Sequence, residues 1–325
     1  MPKARAIVKR RKAVRNIRKI TKTMQMIATA KFQKSLKRAV STKPYTVKLR
    51  ELVRELAVSV GDIEHPLLRQ VTPETATNRI VLVVLTSNRG LAGAYNGSVL
   101  RKANAFLKEQ VAAGKTVDLY VAGKKGITFL NFQKRTITQR LELHDPPRFA
   151  DSDRVANDLM HRFATGQIDG VHVAYMNFIS TGVQKAEVAK FLPLKSVTEI
   201  TDQIAQQVAE KEAQSQAGAL DAKRSGADTT FAAHVYDTQT MYDFSPDPKQ
   251  LFDELLPLAF RTAYFQTYLD AASSEHVARM VAMKSATDAA DKMVKSLSMK
   301  YNRARQSQIT TELSEIMGGV EAMKG

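Results

Sequence analysis

Residues 87–96, with the sequence SNRGLAGAYN, join the most apolar run of the chain to a stretch of helical pattern. Nucleotide-binding folds place their phosphate loops at that position, where glycines let backbone N–H groups approach a phosphate at a helix N-terminus. Here Gly90, Gly93 and Gly97 do not reproduce the G-x-G-x-x-G spacing. Gly114, Lys115 and Thr116 carry the ending of a Walker A loop, but Glu109 occupies the earlier glycine position and Thr116 opens a strand rather than a helix. The six histidines, at 65, 144, 161, 172, 234 and 276, offer no pair at metal-ligand spacing on one helix. His172 alternates within a strand pattern and reads as a core or edge residue. Asp288 and Asp291 share a helix face as a solvated charge pair. No Ser/His/Asp or paired-carboxylate arrangement stands out. The absence of cysteine removes thiol nucleophiles, thiolate metal sites and disulfide switches together. The residues present no catalytic site, no metal site and no cofactor site.

The charge is distributed more informatively than the candidate chemistry. The 325 residues carry a formal charge of +17, and residues 1–50 hold seventeen Lys or Arg with no acidic residue. The remaining residues balance at 32 basic against 32 acidic groups, since 49 − 17 = 32. Such a basic segment fits phosphate contact with a nucleic acid, attraction to an anionic membrane surface, or docking against an acidic protein. Its acid-free, Arg-rich start also has the character of an organelle transit peptide. The longest aliphatic run, residues 80–85, is far shorter than the ~20 residues a membrane-spanning helix needs.

The elements that position these residues fall into two ends and a middle. Residues 3–43 contain neither Pro nor Gly and predict one helix of ~60 Å. Ala13, Ile17, Ile20, Met24 and Ile27 repeat at spacings of four and three, an a/d seam, with cations over the rest of the surface. Beyond Pro257 some sixty residues are free of breakers. There Met283, Ala286, Ala290, Met293 and Leu297 form a second seam, and Ile309, Leu313, Ile316, Val320 and Met323 a third, out of phase with it. The terminal seams predict an antiparallel coiled coil, the plainer alternative being two helices on an ordinary core. Between them, strands at 79–86, 116–122 and 170–176 alternate with helical patterns near 95–113 and 149–165. That alternation predicts a Rossmann-like, three-layer α/β domain with a mainly parallel sheet. The domain boundaries expected are 1–70 for the N-terminal helix, 75–245 for the α/β domain and 246–325 for the C-terminal helix. An Ala- and Gln-rich surface insertion falls near 203–228. If the apolar face of the basic helix is covered by the far end of the chain, the charges ring a shaft and call for an acidic sleeve.

Four segments in order carry a resemblance. Residues 15–31 (RNIRKITKTMQMIATAK), 87–96 (SNRGLAGAYN), 274–288 (SEHVARMVAMKSATD) and 301–316 (YNRARQSQITTELSEI) are similar to signature stretches of the gamma subunits of F-type ATP synthases. The resemblance implies a non-catalytic central-stalk rotor whose terminal helices turn inside a ring of alpha and beta subunits, with catalysis on the beta subunits. It implies ring contacts at Met24, Arg279, Arg305, Gln306, Thr310 and Glu312, and a bearing for the apolar end at 316–323. The α/β foot would meet the epsilon subunit and the membrane c-ring. Residues 242–249 (YDFSPDPK) resemble the family's foot segment and nominate Tyr242, Phe244 and Ser245, although Ser245 stands where a Glu is usual. Ala92 replaces a frequent Cys, and Ala289 a usual Asn.

The resemblance further implies that the basic start is part of the mature helix. The expected location is then peripheral, on the cytoplasmic face of a bacterial inner membrane. No nucleic acid, no cofactor and no membrane span are expected. The competing functions are a basic nucleic-acid-binding protein with a helical arm, and an α/β enzyme with a helical dimerisation arm.

Overall fold

The computed structural model describes residues 4–60, 65–69, 71–72, 75–193 and 248–323. Helix α1 spans Ala4–Val60, and a 3-10 turn follows at Pro66–Leu68. Next come β1 (Arg79–Leu85), α2 (Tyr95–Ala112), β2 (Thr116–Ala122), α3 (Lys124–Phe132), β3 (Gln139–Leu141), α4 (Phe149–Ala164), β4 (Gly170–Phe178) and β5 (Gln184–Leu192). The C-terminal helix α5 covers Pro248–Ala322, 75 residues, or ~110 Å at 1.5 Å per residue.

The five strands form one sheet in the order β3-β2-β1-β4-β5, parallel except for the antiparallel β4–β5 pair. Strand β1 is central and buried from Ile80 to Leu85, as its unbroken aliphatic sequence requires of a strand covered on both faces. On one face Val81, Val83 and Leu85 pack with α4 and with Phe252, Leu256, Phe260 and Tyr264 of α5. On the other, Leu82 and Val84 pack with Val99, Ala103 and Leu107 of α2 and Leu130 of α3. The three-layer α/β domain and the antiparallel coil are therefore as the patterns predict. Strands β3 and β5 and helix α3 are additions. Strand β3 is only three residues long, β5 (QKAEVAKFL) mixes polar and apolar residues without strict alternation, and α3 carries Gly126 in its interior.

Both terminal helices run past the breaker-free stretches, and two expectations need correction. Helix α1 continues through Pro44 to Val60, and α5 starts at Pro248 and runs through Pro257. An internal proline costs a helix about 3 kcal/mol, and burial of Leu49 and Val53 beyond Pro44, or of Leu256 and Phe260 around Pro257, offsets it.

The seam of α1 is also displaced by one residue. Ile7, Thr21, Ala28, Phe32, Ser35, Ala39, Thr46, Leu49 and Val53 are buried, all on one heptad phase. Ile17, Ile20 and Ile27 face out, Ile20 being 59% exposed. On α5 the matching buried positions are Met283, Thr287 and Ala290, whereas Met293 is exposed. Small side chains at the contact let the two backbones approach closely, and Thr287 Oγ1 and Thr21 Oγ1 share a buried hydrogen bond of 2.8 Å. The larger isoleucines sit about 100° away around the helix.

The second correction concerns the last seam. Helix α1 begins opposite residues just past Tyr301, so Ile309, Leu313, Ile316, Val320 and Met323 have no partner helix among the described residues and are all exposed. The insertion at 203–228 and Tyr242, Phe244 and Ser245 lie outside the described residues.

Candidate functional site

Two antiparallel helices with a basic exterior make the shaft. Arg11 stacks its guanidinium over the Tyr301 ring at 4.8 Å, Arg18 pairs with Asp291 at 2.5 Å, and Thr42 bonds Gln266 at 3.2 Å. Asp291 is thus an interhelical ion-pair partner, not half of a solvated pair with Asp288. Most remaining cations of α1, including Arg10, Lys12, Arg15, Lys19 and Lys22, stay exposed. Among them runs the outward apolar stripe of Ile17, Ile20 and Ile27, edged by half-buried Met24. Past Ala304, residues 305–320 are exposed on every side, a single helix whose ~18 residues to Ala322 project about 27 Å beyond the two-helix segment. Exposed apolar surface on this scale marks an interaction site rather than a solvated face.

Five of the six predicted ring-contact residues belong to this surface. Met24 lies at the edge of the stripe, and Arg305, Gln306, Thr310 and Glu312 stand on the free segment. There Glu312 accepts from Gln308 at 2.9 Å, and Thr310 Oγ1 donates to the Gln306 carbonyl at 3.0 Å. Arg279 is placed differently. It is 9% exposed and donates to Glu275 Oε1 at 2.7 Å and to the carbonyls of Arg89 and Gly90 at 3.3–3.4 Å.

That last contact decides what the 87–96 loop does. In an open α/β sheet, ligands enter where the strand order reverses, outside the carboxyl ends of the strands, here between β1 and β4. Helix α5 fills this place. Ser274 Oγ donates to the Met176 carbonyl at 3.3 Å, Arg279 holds the loop carbonyls, and a Cβ on Gly93 would already lie 3.7 Å from Ala282. The loop is closed internally: Asn96 Oδ1 accepts from the Ser87 amide at 2.9 Å, and Ser87 Oγ donates to the Arg89 carbonyl at 2.6 Å. Gly93, at φ 54°, and Leu91, at φ 63°, supply the tight turns. The segment that looked fit to cradle a phosphate docks the sheet onto the shaft.

A second junction lies just after β3. Lys31 Nζ of α1 donates to Asp145 Oδ2 at 2.6 Å, and His276 Nε2 of α5 donates to Asp145 Oδ1 at 3.2 Å. The His276 bond, reinforced by Lys31 against partial burial, holds the Asp145 carboxyl well below the usual carboxylate range. Nearby, Phe32 of α1 meets Phe178 at the end of β4, ring centroids 5.9 Å apart. Inside the domain, burial raises the Asp118 pKa, but bidentate bonding from Arg79 and a further bond from Arg162 outweigh it and the net shift is downward. None of these ties is legible in the sequence, since Lys31 and His276 lie 114 and 131 residues from Asp145. Glu142, His144 and Asp151 bring donor atoms within 4.8 Å of one another, with His144 Nδ1 and Asp151 Oδ2 already paired at 2.8 Å. No helix among the described residues is long and apolar enough to cross a membrane.

Comparison with known proteins follows the same outline. A family described as ATP synthase matches residues 3–323. The ATP synthase gamma chain of Rhodopirellula baltica is 40% identical over 326 residues, spanning the whole of both chains. That of Leptospira biflexa is 34% identical over 324 residues, covering 99% of this chain and 100% of its own. Among solved structures, the rotor of the Euglena gracilis mitochondrial ATP synthase superposes with a TM-score of 0.56 at 16% identity, covering 94% of this chain and 98% of that one. The central stalk and c-ring structure from Tetrahymena thermophila gives 0.53 at 17% identity over 82% and 99%. At these identities the structures establish the shared fold.

Proposed function

The chain belongs to the ATP synthase gamma-chain family, and from that premise we propose that it is the central-stalk rotor subunit of the enzyme. It carries no catalytic chemistry of its own. It couples ion flow through the membrane c-ring to ATP synthesis or hydrolysis on the beta subunits by turning inside the alpha/beta ring. The observation that carries this is the form of the shaft: a two-helix coil sheathed in cations, continued by a single exposed helix from residue 305 onward.

Rotation needs outer contacts that are individually weak and available in several orientations. Exposed Lys and Arg facing acidic loops meet that need, because solvated ion pairs are each worth about 0–1 kcal/mol and lock no single geometry. The stripe of Ile17, Ile20 and Ile27 then presents the shaft's apolar side to the sleeve, with Met24 beside it. Arg305, Gln306, Thr310 and Glu312 form the polar contact with the ring's catch region, and Ile316 to Met323 run in the apolar bearing. Arg279 serves from inside, by holding the 87–96 loop on α5. Tyr242, Phe244 and Ser245 would meet the epsilon subunit and the c-ring at the foot. The subunit is then peripheral to the membrane, on the cytoplasmic side in a bacterial cell.

The family assignment lends no support to a nucleic-acid-binding arm, and α5 occupies the crevice that an α/β enzyme would use. Co-purification tests the assignment: alpha and beta subunits should be recovered with this chain in fixed stoichiometry, and a solitary chain would overturn it. Arg305→Ala combined with Gln306→Ala should lower ATP turnover of the assembled complex while leaving the free chain's stability within about 0.5 kcal/mol, since both side chains are exposed. Wild-type turnover would remove these residues from the ring contact.

A further inference from the structure

We propose that Asp145 is a positioning residue that stiffens torque transmission between the α/β foot and the shaft, by bonding both shaft helices through one carboxylate. The proposal rests on the rotor function above. Torque generated at the ring or at the membrane must cross the junction between the sheet and the helices α1 and α5. Apolar contacts there, such as Phe32 against Phe178, are held by attractions without a preferred direction and resist sliding only through the fit of their side chains. Hydrogen bonds weaken steeply with angle and distance and so resist twist.

Asp145 supplies two of them, one to each shaft helix, through its two carboxylate oxygens. Its Oδ2 accepts from Lys31 of α1 at 2.6 Å and its Oδ1 from His276 of α5 at 3.2 Å. Since a carboxylate only accepts, the His276 proton is placed on Nε2. The His276 side chain is 3% exposed, so its ring cannot swing to another partner. The carboxyl stays ionised through the physiological range, as its lowered pKa requires. Asp145 and Lys31 are each nearly half exposed, and pairs in that setting add little to stability. Their value lies in geometry: rotation of either helix relative to the sheet stretches one arm of the same carboxylate.

The test is single-molecule rotation of the assembled complex, with the alpha/beta ring immobilised and a probe on the foot. Asp145→Asn should assemble and hydrolyse ATP, but the probe's angular distribution at each dwell should widen, a loss of torsional stiffness. Asp145→Glu should restore part of it. Lys31→Met, on an exposed side chain whose loss leaves the fold intact, should widen the distribution through the α1 arm alone, and it decides the matter if Asp145→Asn does not assemble. A wild-type angular width in assembled Asp145→Asn, or in Lys31→Met, overturns the proposal. Failure of the rotor function itself is distinguishable, because the wild-type complex would then show no rotation of the probe at all.

Discussion

The displaced seam of α1 makes a decisive prediction about which residues of the two terminal helices face one another. Thr21 and Thr287 place their hydroxyls 2.8 Å apart in a buried contact, which with two C–O bonds of ~1.4 Å bounds their β-carbons within ~5.7 Å, in the neighbourhood a disulfide can close with a small shift. The chain has no cysteine, so Thr21→Cys with Thr287→Cys can form only one intramolecular bond. That bond would close a loop between positions 266 residues apart, and the chain-entropy relation assigns such a loop about 5–6 kcal/mol of stabilisation. Loss of the Thr–Thr hydrogen bond subtracts about 1 kcal/mol, and imperfect geometry more. A melting point raised by about 5–7 °C under oxidising conditions and restored by reductant is the expected result. The control is Ile20→Cys with Thr287→Cys, one position away but about 100° around the helix, where Ile20 faces solvent. Non-reducing electrophoresis distinguishes the two. Ready closure of the 20–287 pair with none at 21–287 would refute the assigned register, and with it the claim that the isoleucine stripe faces outward.

Other positions test the same physics. Ala28→Leu, at a nearly fully buried seam position, should destabilise the free chain by about 1–3 kcal/mol through overpacking, whereas Ile27→Ala should cost no more than about 0.5 kcal/mol and show its effect only in the assembled complex; denaturant midpoints measure both. Gly123→Ala should prevent stable folding, since the new Cβ would overlap the Thr86 carbonyl oxygen at a backbone φ of +92°; recovery of soluble, normally melting protein would contradict the tight crossing at the ends of β1 and β2. His172, pressed against Phe106 at 4.7 Å, has its pKa lowered to about 4 by burial and by Lys190 and Lys115. The unfolded chain therefore binds a proton from about pH 6.5 downward that the folded chain refuses until about pH 4, so stability present above pH 6.5 is lost as the pH falls through that window. Between pH 7.5 and 4.5 the loss attributable to this side chain is on the order of 2–3 kcal/mol, and His172→Gln should flatten that part of the urea-midpoint profile.

Much of this molecule is local in origin and so was legible before folding. A continuous aliphatic run marks β1, apolar-rich strand patterns mark β2 and β4, and breaker-free stretches mark most of the two long helices, because strand burial and helix propagation are properties of neighbouring residues. The concentration of charge in residues 1–50 likewise declares a basic surface. Short or half-exposed elements such as β3 and β5 lacked that signal and exist because a neighbouring strand offers them hydrogen bonds.

What the residues alone could not decide is which side of each helix would be inside. Apolar periodicity nominates Ile17, Ile20 and Ile27 for the seam. The packed pair prefers Thr21 and Ala28, because close approach of two backbones depends on small side chains across from small side chains, and those partners come from the far end of the chain. The same holds for Asp145, whose carboxylate gains meaning only when α1 and α5 are brought to it, and for Arg279, which is a basic side chain in the sequence and a clamp on the 89–90 carbonyls in the fold. Sequence determined the elements and the charge of the shaft. Tertiary structure decided its faces, because a face is defined by what lies opposite it.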